Sequence, residues 1–328
     1  RTQWKEVVDD DEDARFKGYA EEFRAMQARR AHGKALGRAL HIKAHVGARA
    51  ELTVHDGVPD DLRVSLFARP GAWRCFVRYS NGVGMRQPDG RPDVRGLAVK
   101  VLGVQGPKLI PGLEAATTQD FLFITASKLP VATPEEFMKL VRAAERGPLR
   151  LLPGLIGAFG ARRAFKLIKD LASRPNPPSL ANAHFYTAAP TRLGPFAVKW
   201  SLAPKGSGGN IATGHEGYRD DLVKRLKEGP IAYTLRAQRF VDERTTPIED
   251  AAVEWAESVS PWVDLATLTI PKTDLNTEEA KAVEAEVETM SFDPWHATDE
   301  LRPLGAVMRA RKYAYGASVI ARGASSEP

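Results

Sequence analysis

The chain has 328 residues, 43% of them hydrophobic, and a formal charge of +6; that is ample apolar content for a large core, and no run of about eighteen apolar residues exists to cross a membrane. The single cysteine, Cys75, excludes an internal disulfide and points to a reducing, cytoplasmic compartment, although a start at Arg1 leaves room for a removed leader. The basic pairs Arg29-Arg30 and Arg162-Arg163 lack interleaved aromatics, which argues against nucleic acid and for an anionic small molecule or a lipid surface.

Residues 1–11 read as a polar arm. Phe16, Tyr19, Phe23 and Met26 recur at helical spacing and predict a helix over 12–36. Alternating residues predict strands over 40–46 and 50–54, with Gly47 as a kink between them. Further strands are expected at 73–79, 97–102 and 121–124. Thr133-Pro134-Glu135-Glu136 is a helix start with a capping Thr and a Pro in the first position, and this helix runs to Glu145. Residues 148–175 form a helical insertion. Strands return at 183–188, 196–203, 231–240 and 265–270, and helices are expected at 247–258, 277–289 and 303–321. This order predicts an α+β chain, and closing an antiparallel sheet into a barrel would remove its edges.

Arg311 and Tyr315 are four apart on the last helix, so they share a face, with Arg322 two turns further on. A guanidinium held against a phenol favours the phenolate. An ordinary amphipathic helix with a packed Tyr and a solvated Arg has the same spacing. His41, Lys43 and His45 would share one face of a strand, and His41 is a candidate general acid–base. Arg78 and Ser80 alternate onto one face, the Arg for a carboxylate and the Ser to fix a His tautomer. A zinc site is not expected: there is no Cys-x-x-Cys, and His41 and His45 would stand about 13 Å apart on a strand.

Together these pieces form an ordered set: Arg38-x-x-His41-x-Lys43, Arg78-Tyr79-Ser80, Asp93-Val94-Arg95-Gly96-Leu97-Ala98-Val99-Lys100, and Arg311-x-x-x-Tyr315 with Arg322. Gln119-Asp120-Phe121, Phe185-Tyr186, Phe292-Asp293-Pro294-Trp295-His296 and Arg302-Pro303-Leu304-Gly305 join it. The set resembles the haem catalases, in the short catalase-related branch that keeps the haem core and lacks accessory domains.

The resemblance implies one domain over 1–328, with the N-terminal arm and helix at 1–36 and C-terminal helices carrying the ligand at 277–328. The implied fold is α+β, a closed antiparallel barrel of about eight strands enclosing haem b, with flanking helices. It implies Tyr315 as iron ligand, Arg311 as its charge partner, His41 as distal acid–base with Ser80 orienting it, and Arg38, Arg78 and Arg322 on the haem propionates. A gapless match puts Thr117 where such proteins place a distal Asn, with Thr118 and Gln119 the nearest other candidates, and no Phe lies between Phe123 and Phe137. Both departures predict weak catalase activity and a more open pocket.

The implied function is a haem peroxidase acting on hydrogen peroxide or organic hydroperoxides, with a small organic donor. The alternatives are a fatty-acid hydroperoxide isomerase or lyase of the allene-oxide-synthase type, against which Leu40 stands in place of a Thr, and a non-catalytic haem carrier. Peroxide and a small organic or lipid molecule are the expected partners, and a homodimer is compatible. Residues 148–175, rich in Leu, Ile, Phe, Arg and Lys, are expected either to pack on the barrel or to form a lid or lipid-facing surface.

Overall fold

The structure is a computed structural model that describes residues 3–31, 37–145, 147–173, 176–208 and 214–324. Among the described residues nine strands form one sheet: β1 (Ala44–Val54), β2 (Gly71–Asn81), β3 (Arg95–Leu102), β4 (Thr118–Ile124), β5 (Phe185–Tyr186), β6 (Thr191–Leu193), β7 (Phe196–Pro204), β8 (Ile231–Arg239) and β9 (Trp262–Ile270). Their order is β5-β4-β3-β2-β1-β9-β8-β7-β6, and β5 also pairs with β7. Eight strands therefore close an antiparallel barrel, with β6 as a hairpin arm on β7. The helices are α1 (Glu12–Ala31), α2 (Pro134–Glu145), α3 (Pro148–Phe159), α4 (Ala161–Ala172), α5 (Gly217–Glu228), α6 (Glu278–Thr289) and α7 (Ala306–Ala321). None of the described helices is long and apolar enough to cross a membrane.

The period of two along each strand decides what fills the barrel. Cys75, Val77 and Tyr79 of β2, Leu97, Val99 and Val101 of β3, and Phe121 and Phe123 of β4 point into a single apolar cluster with Trp200 and Tyr233. The buried polar tips in it are satisfied: Tyr79 Oη meets Tyr233 Oη at 2.9 Å, Tyr233 donates to Leu180 O at 2.6 Å, and Trp200 Nε1 donates to Thr191 Oγ1 at 2.6 Å. The lumen is thus packed with side chains, as an eight-strand barrel allows. The alternate residues Arg78 and Ser80 face outward, so the candidate site residues stand on the barrel's outer wall rather than in its lumen.

Several local expectations are corrected. The two strands expected at 40–46 and 50–54 are one strand that begins at Ala44 and runs through Gly47. Gly47 is there for space: a Cβ on it would lie 2.9 Å from Val287 Cβ of α6. Residues 247–258 are turns and bends, not a helix, and α5 and β6 carried too little periodicity to be read. Residues 32–36 of the expected first helix, and Arg174 and Pro175 of the insertion, lie outside the described residues.

Candidate active site

The site is a cleft between the outer wall of β2–β4 and the inner face of α7. α7 is held from the other side. Arg309 binds Glu12 Oε2 and Glu6 Oε1 at 2.7 Å each and Glu249 Oε1 at 3.2 Å. Gln27 Nε2 of α1 donates to Ser318 Oγ at 2.9 Å, and Trp295 Nε1 donates to Met308 O at 2.8 Å.

The segment that joins α6 to α7 is pinned to the barrel by a buried polar network. Lys100 Nζ binds both oxygens of Asp120 at 2.8 and 2.9 Å, His296 Nδ1 lies 2.9 Å from Asp120 Oδ2, and Asp293 N donates to the same oxygen at 2.9 Å. Three stretches that sequence resemblance grouped together meet here physically. Phe76, Val283, Val287, Met290 and Phe292 form the apolar layer between α6 and the wall, with Ala98 and Leu122 against it.

On the wall side, His41 is not part of a strand. Its φ is 56°, in the left-handed region, where the chain reverses before β1. His41 N donates to Gly82 O at 3.1 Å, and Gly82 N donates to Asp93 Oδ2 at 3.0 Å. Asp93 also takes Val83 N and Arg95 Nη1, so it ties the loop after β2 to β3 and fixes where His41 sits. The imidazole Nδ1 lies 3.0 Å from Ser80 Oγ. Burial, then the charge of Arg78, pushes the imidazole down to about 4, with Arg311 and Arg38 adding to it. His41 is therefore neutral at ordinary pH.

On the helix side, Arg311 Nη2 donates to Tyr315 Oη at 2.8 Å, and its guanidinium lies 5.0 Å from the centre of the Tyr315 ring. The charge of Arg311 also weighs on His41 from the α7 side.

Three arginines converge at one end. Arg38 Nη1 binds Glu288 Oε2 at 3.1 Å, Arg78 Nε binds Glu288 Oε1 at 2.5 Å, and Arg38 Nη2 and Arg322 Nη2 both donate to Met290 O, at 2.9 and 3.0 Å. Among the described residues Glu288 pairs with Arg38 and Arg78, and Arg322 has only the Met290 carbonyl. The mismatch has a cost: burial, then the charges of Arg78 and Arg322, pushes the Arg38 guanidinium down to about 9. A dianion would offset the excess, and the two propionates of haem have that charge. The excess of positive charge from Arg38, Arg78 and Arg322, together with a phenol held by a guanidinium, fits a group with two carboxylates and an iron, as haem is. Glu288 and Met290 O were not legible as parts of this end, since nothing in 277–289 distinguishes Glu288 from its helical neighbours.

Two sequence expectations fail geometrically. Thr117 is exposed, just before β4, where Thr118 pairs with Leu102; Ser80 and His41 are at the far end, where Gly96 pairs with Ile124. Six strand positions separate those ends, about 20 Å, so Thr117 does not stand opposite His41. Lys43 and His45 do not share the cleft either. Lys43 Nζ is buried against Asp89 Oδ1 at 2.8 Å, and the His45 ring is fully buried against Tyr218, ring centres 5.5 Å apart.

The barrel, the outer-wall histidine and the tyrosine helix define a catalase-type protein. The chain superposes on a fungal catalase with a TM-score of 0.69 at 17% identity, covering 92% of this chain and 65% of that one. Against catalase A from Saccharomyces cerevisiae the TM-score is 0.70 at 16% identity, covering 90% and 63%. A bacterial catalase gives 0.65 at 16% identity, covering 96% and 61%. At these identities the likeness is one of fold, and the chain spans under two thirds of those catalases' length. No family profile matches the chain. It is 30% identical over 283 residues to a catalase-related peroxidase from Mycolicibacterium paratuberculosis, covering 77% of this chain and 81% of that protein. The chain belongs to the catalase-related peroxidase family, and that family implies haem.

Proposed function

We propose that the chain is a haem b peroxidase that reduces hydrogen peroxide or an organic hydroperoxide at the expense of a small organic donor, with little catalase activity. Family membership makes it an oxidoreductase acting on peroxide. What supports the finer reading is the neutral His41 beside Ser80, with the Arg311 that holds Tyr315 near enough for its charge to act on the imidazole. Haem, when bound, supplies the two-electron reduction of the O–O bond and the acceptance of electrons from the donor. Tyr315 is the iron ligand in this reading, and Arg311 steadies its phenolic oxygen. Arg38, Arg78 and Arg322 hold the propionates.

His41 moves the proton. Ser80 engages Nδ1, which leaves Nε2 for substrate. Nε2 takes the hydroperoxide proton and returns it to the leaving oxygen, which departs as water or an alcohol. Two donor molecules each give one electron and one proton, so the second oxygen also ends as water.

Weak catalase activity follows from the wall beside His41. Gly96, Ala98, Leu122 and Ile124 form its outward face on β3 and β4, and none of them offers an amide or hydroxyl side chain to a second peroxide. The test is a visible spectrum of the haem-loaded protein, followed by oxidation of a phenolic donor and oxygen release measured at the same peroxide concentration. Donor oxidation well above oxygen release is expected. Brisk oxygen release with no donor turnover would overturn the reading.

A further inference from the structure

The helical hairpin α3–α4 takes no part in the cleft. It packs on α2 through Ala143, Leu155 and Ala164, with Leu140, Leu151, Leu152, Phe159 and Ile168 around them. Arg163 latches it there, its Nη1 and Nη2 on Glu136 Oε1 and Oε2 at 2.6 and 2.7 Å. Arg163 is therefore a structural residue of the hairpin, unlike its neighbour Arg162.

What the hairpin leaves outside is unusual for a protein surface. On α3, Leu149, Pro153, Ile156 and Gly157 are all exposed at positions i, i+4, i+7 and i+8, one stripe of the helix. Leu149 is 95% exposed and Ile156 37%. On α4, Arg162, Phe165, Lys166 and Lys169 are all exposed at i, i+3, i+4 and i+7, and Phe165 is 58% exposed. Among the described residues Arg162, Lys166 and Lys169 make no ion pair. One hairpin thus holds three of the large exposed hydrophobic side chains together with unpaired cations.

A solvated helix needs no exposed Leu, Ile and Phe, and a protein partner alone would not call for so many free cations. Exposed apolar side chains beside unpaired Arg and Lys match one chemistry, the interface of an anionic bilayer. Aliphatic and aromatic side chains enter the acyl boundary there, and ammonium and guanidinium groups meet lipid phosphates. We propose that α3–α4 is a peripheral docking surface for anionic lipid membranes. It does not depend on the peroxidase reading, since binding to vesicles needs no turnover.

The experiment is flotation of the full haem-loaded chain with phosphatidylcholine vesicles, with and without phosphatidylglycerol. Binding is expected only when phosphatidylglycerol is present. Neutralising two cations in Arg162→Gln with Lys166→Gln should weaken it by roughly thirtyfold, each cation near such a surface contributing about a factor of five. Leu149→Ser with Phe165→Ser should release the protein from the same vesicles. All four positions are exposed, and circular dichroism of each variant verifies the fold. Absence of binding, equal binding to both vesicle types, or binding that survives both double variants would overturn the proposal. So would a dimer by sedimentation velocity that Leu149→Ser with Phe165→Ser turns into a monomer, because the face would then belong to a second copy of the chain.

Discussion

Gly96 lends its missing side chain to His41. A Cβ on Gly96 would lie 2.6 Å from His41 Nδ1 and 2.7 Å from Ser80 Oγ, closer than atoms can approach. The backbone of β3 is thus the floor on which the imidazole rests. Gly96→Ala should displace the ring by a fraction of an ångström to an ångström and break its bond to Ser80. Loss of about a hundredfold in kcat/KM for peroxide is expected, the scale of a small misplacement of a catalytic group. Haem binding, read from the visible spectrum, should be kept, because Tyr315 and the arginines are on other elements. A variant with full activity would show that His41 does not do the proton work.

The charge state of His41 gives a pH prediction. Burial and Arg78 push its imidazole down to about 4, from an ordinary value near 6.5. The base is the neutral form, so kcat/KM should stay level from neutral pH to about 5 and fall as pH drops through about 4. A limb near pH 6.5, abolished in His41→Asn, would contradict the buried setting. Stability has the same sign. Between about 6.5 and 4 the unfolded chain binds a proton that the folded imidazole refuses, so acidification over that window destabilises the fold.

Tyr315→Phe should fold, since the ring stays in place and only the phenolic oxygen is lost, yet it should lose most haem occupancy and the ferric tyrosinate absorption. The Arg311 guanidinium, 2.8 Å from that oxygen, would keep only the ring beneath it. Titration of the purified chain with haem, followed by absorbance, makes the comparison. An unchanged spectrum would move the ligand elsewhere.

Much of this was legible in the chain because side-chain spacing and local geometry coincide. Arg311 and Tyr315 meet because a helix brings i and i+4 together, and Arg78 and Ser80 share a wall because a strand alternates. The barrel was legible from strands whose apolar residues repeat at two. His41 was legible as a residue type but not as a position, because a left-handed φ of 56° gives no periodic signal. Thr117 was misplaced because a gapless match counts residues, whereas the register of β3 on β4 puts those residues at the far end of the wall. Glu288 was missed because its meaning comes only from arginines contributed by three separate segments, 250, 210 and 34 positions away in the chain for Arg38, Arg78 and Arg322.

The Lys100–Asp120 pair should carry stability rather than chemistry. Both side chains are fully buried, and Asp120 also holds His296 and the backbone of Asp293. Asp120→Ala strands the Lys100 ammonium without a counter-charge, which costs on the order of 3–5 kcal/mol. A large fall in Tm is expected, together with loss of haem binding as the segment before α7 comes free of the wall. A double variant, Asp120→Leu with Lys100→Met, should recover most of the lost Tm, because the penalty comes from the unpaired charge and not from the missing bond. If the single variant melts with the wild type, the network does not pin that segment.

Glu288 is the residue through which the arginine cluster can be tested. Burial pushes its carboxyl up, but the charges of Arg78, Arg38 and Arg322 outweigh burial and hold it below the usual carboxylate range. It therefore stabilises the haem-free protein at neutral pH, and that stabilisation is lost as pH falls through its lowered pKa. A propionate reaching Arg38 or Arg78 has to share them with this carboxylate. Glu288→Gln removes the competing charge and leaves the arginines in place. Two opposite shifts follow. The haem-free protein should melt at a lower temperature than the wild type, and haem should bind up to about fivefold more tightly, the scale of a partly exposed ion pair. The two Tm values should converge in acid, where the wild-type carboxyl is protonated. Weaker haem binding in Glu288→Gln would mean that Glu288 orients the arginines for the propionates rather than competing with them.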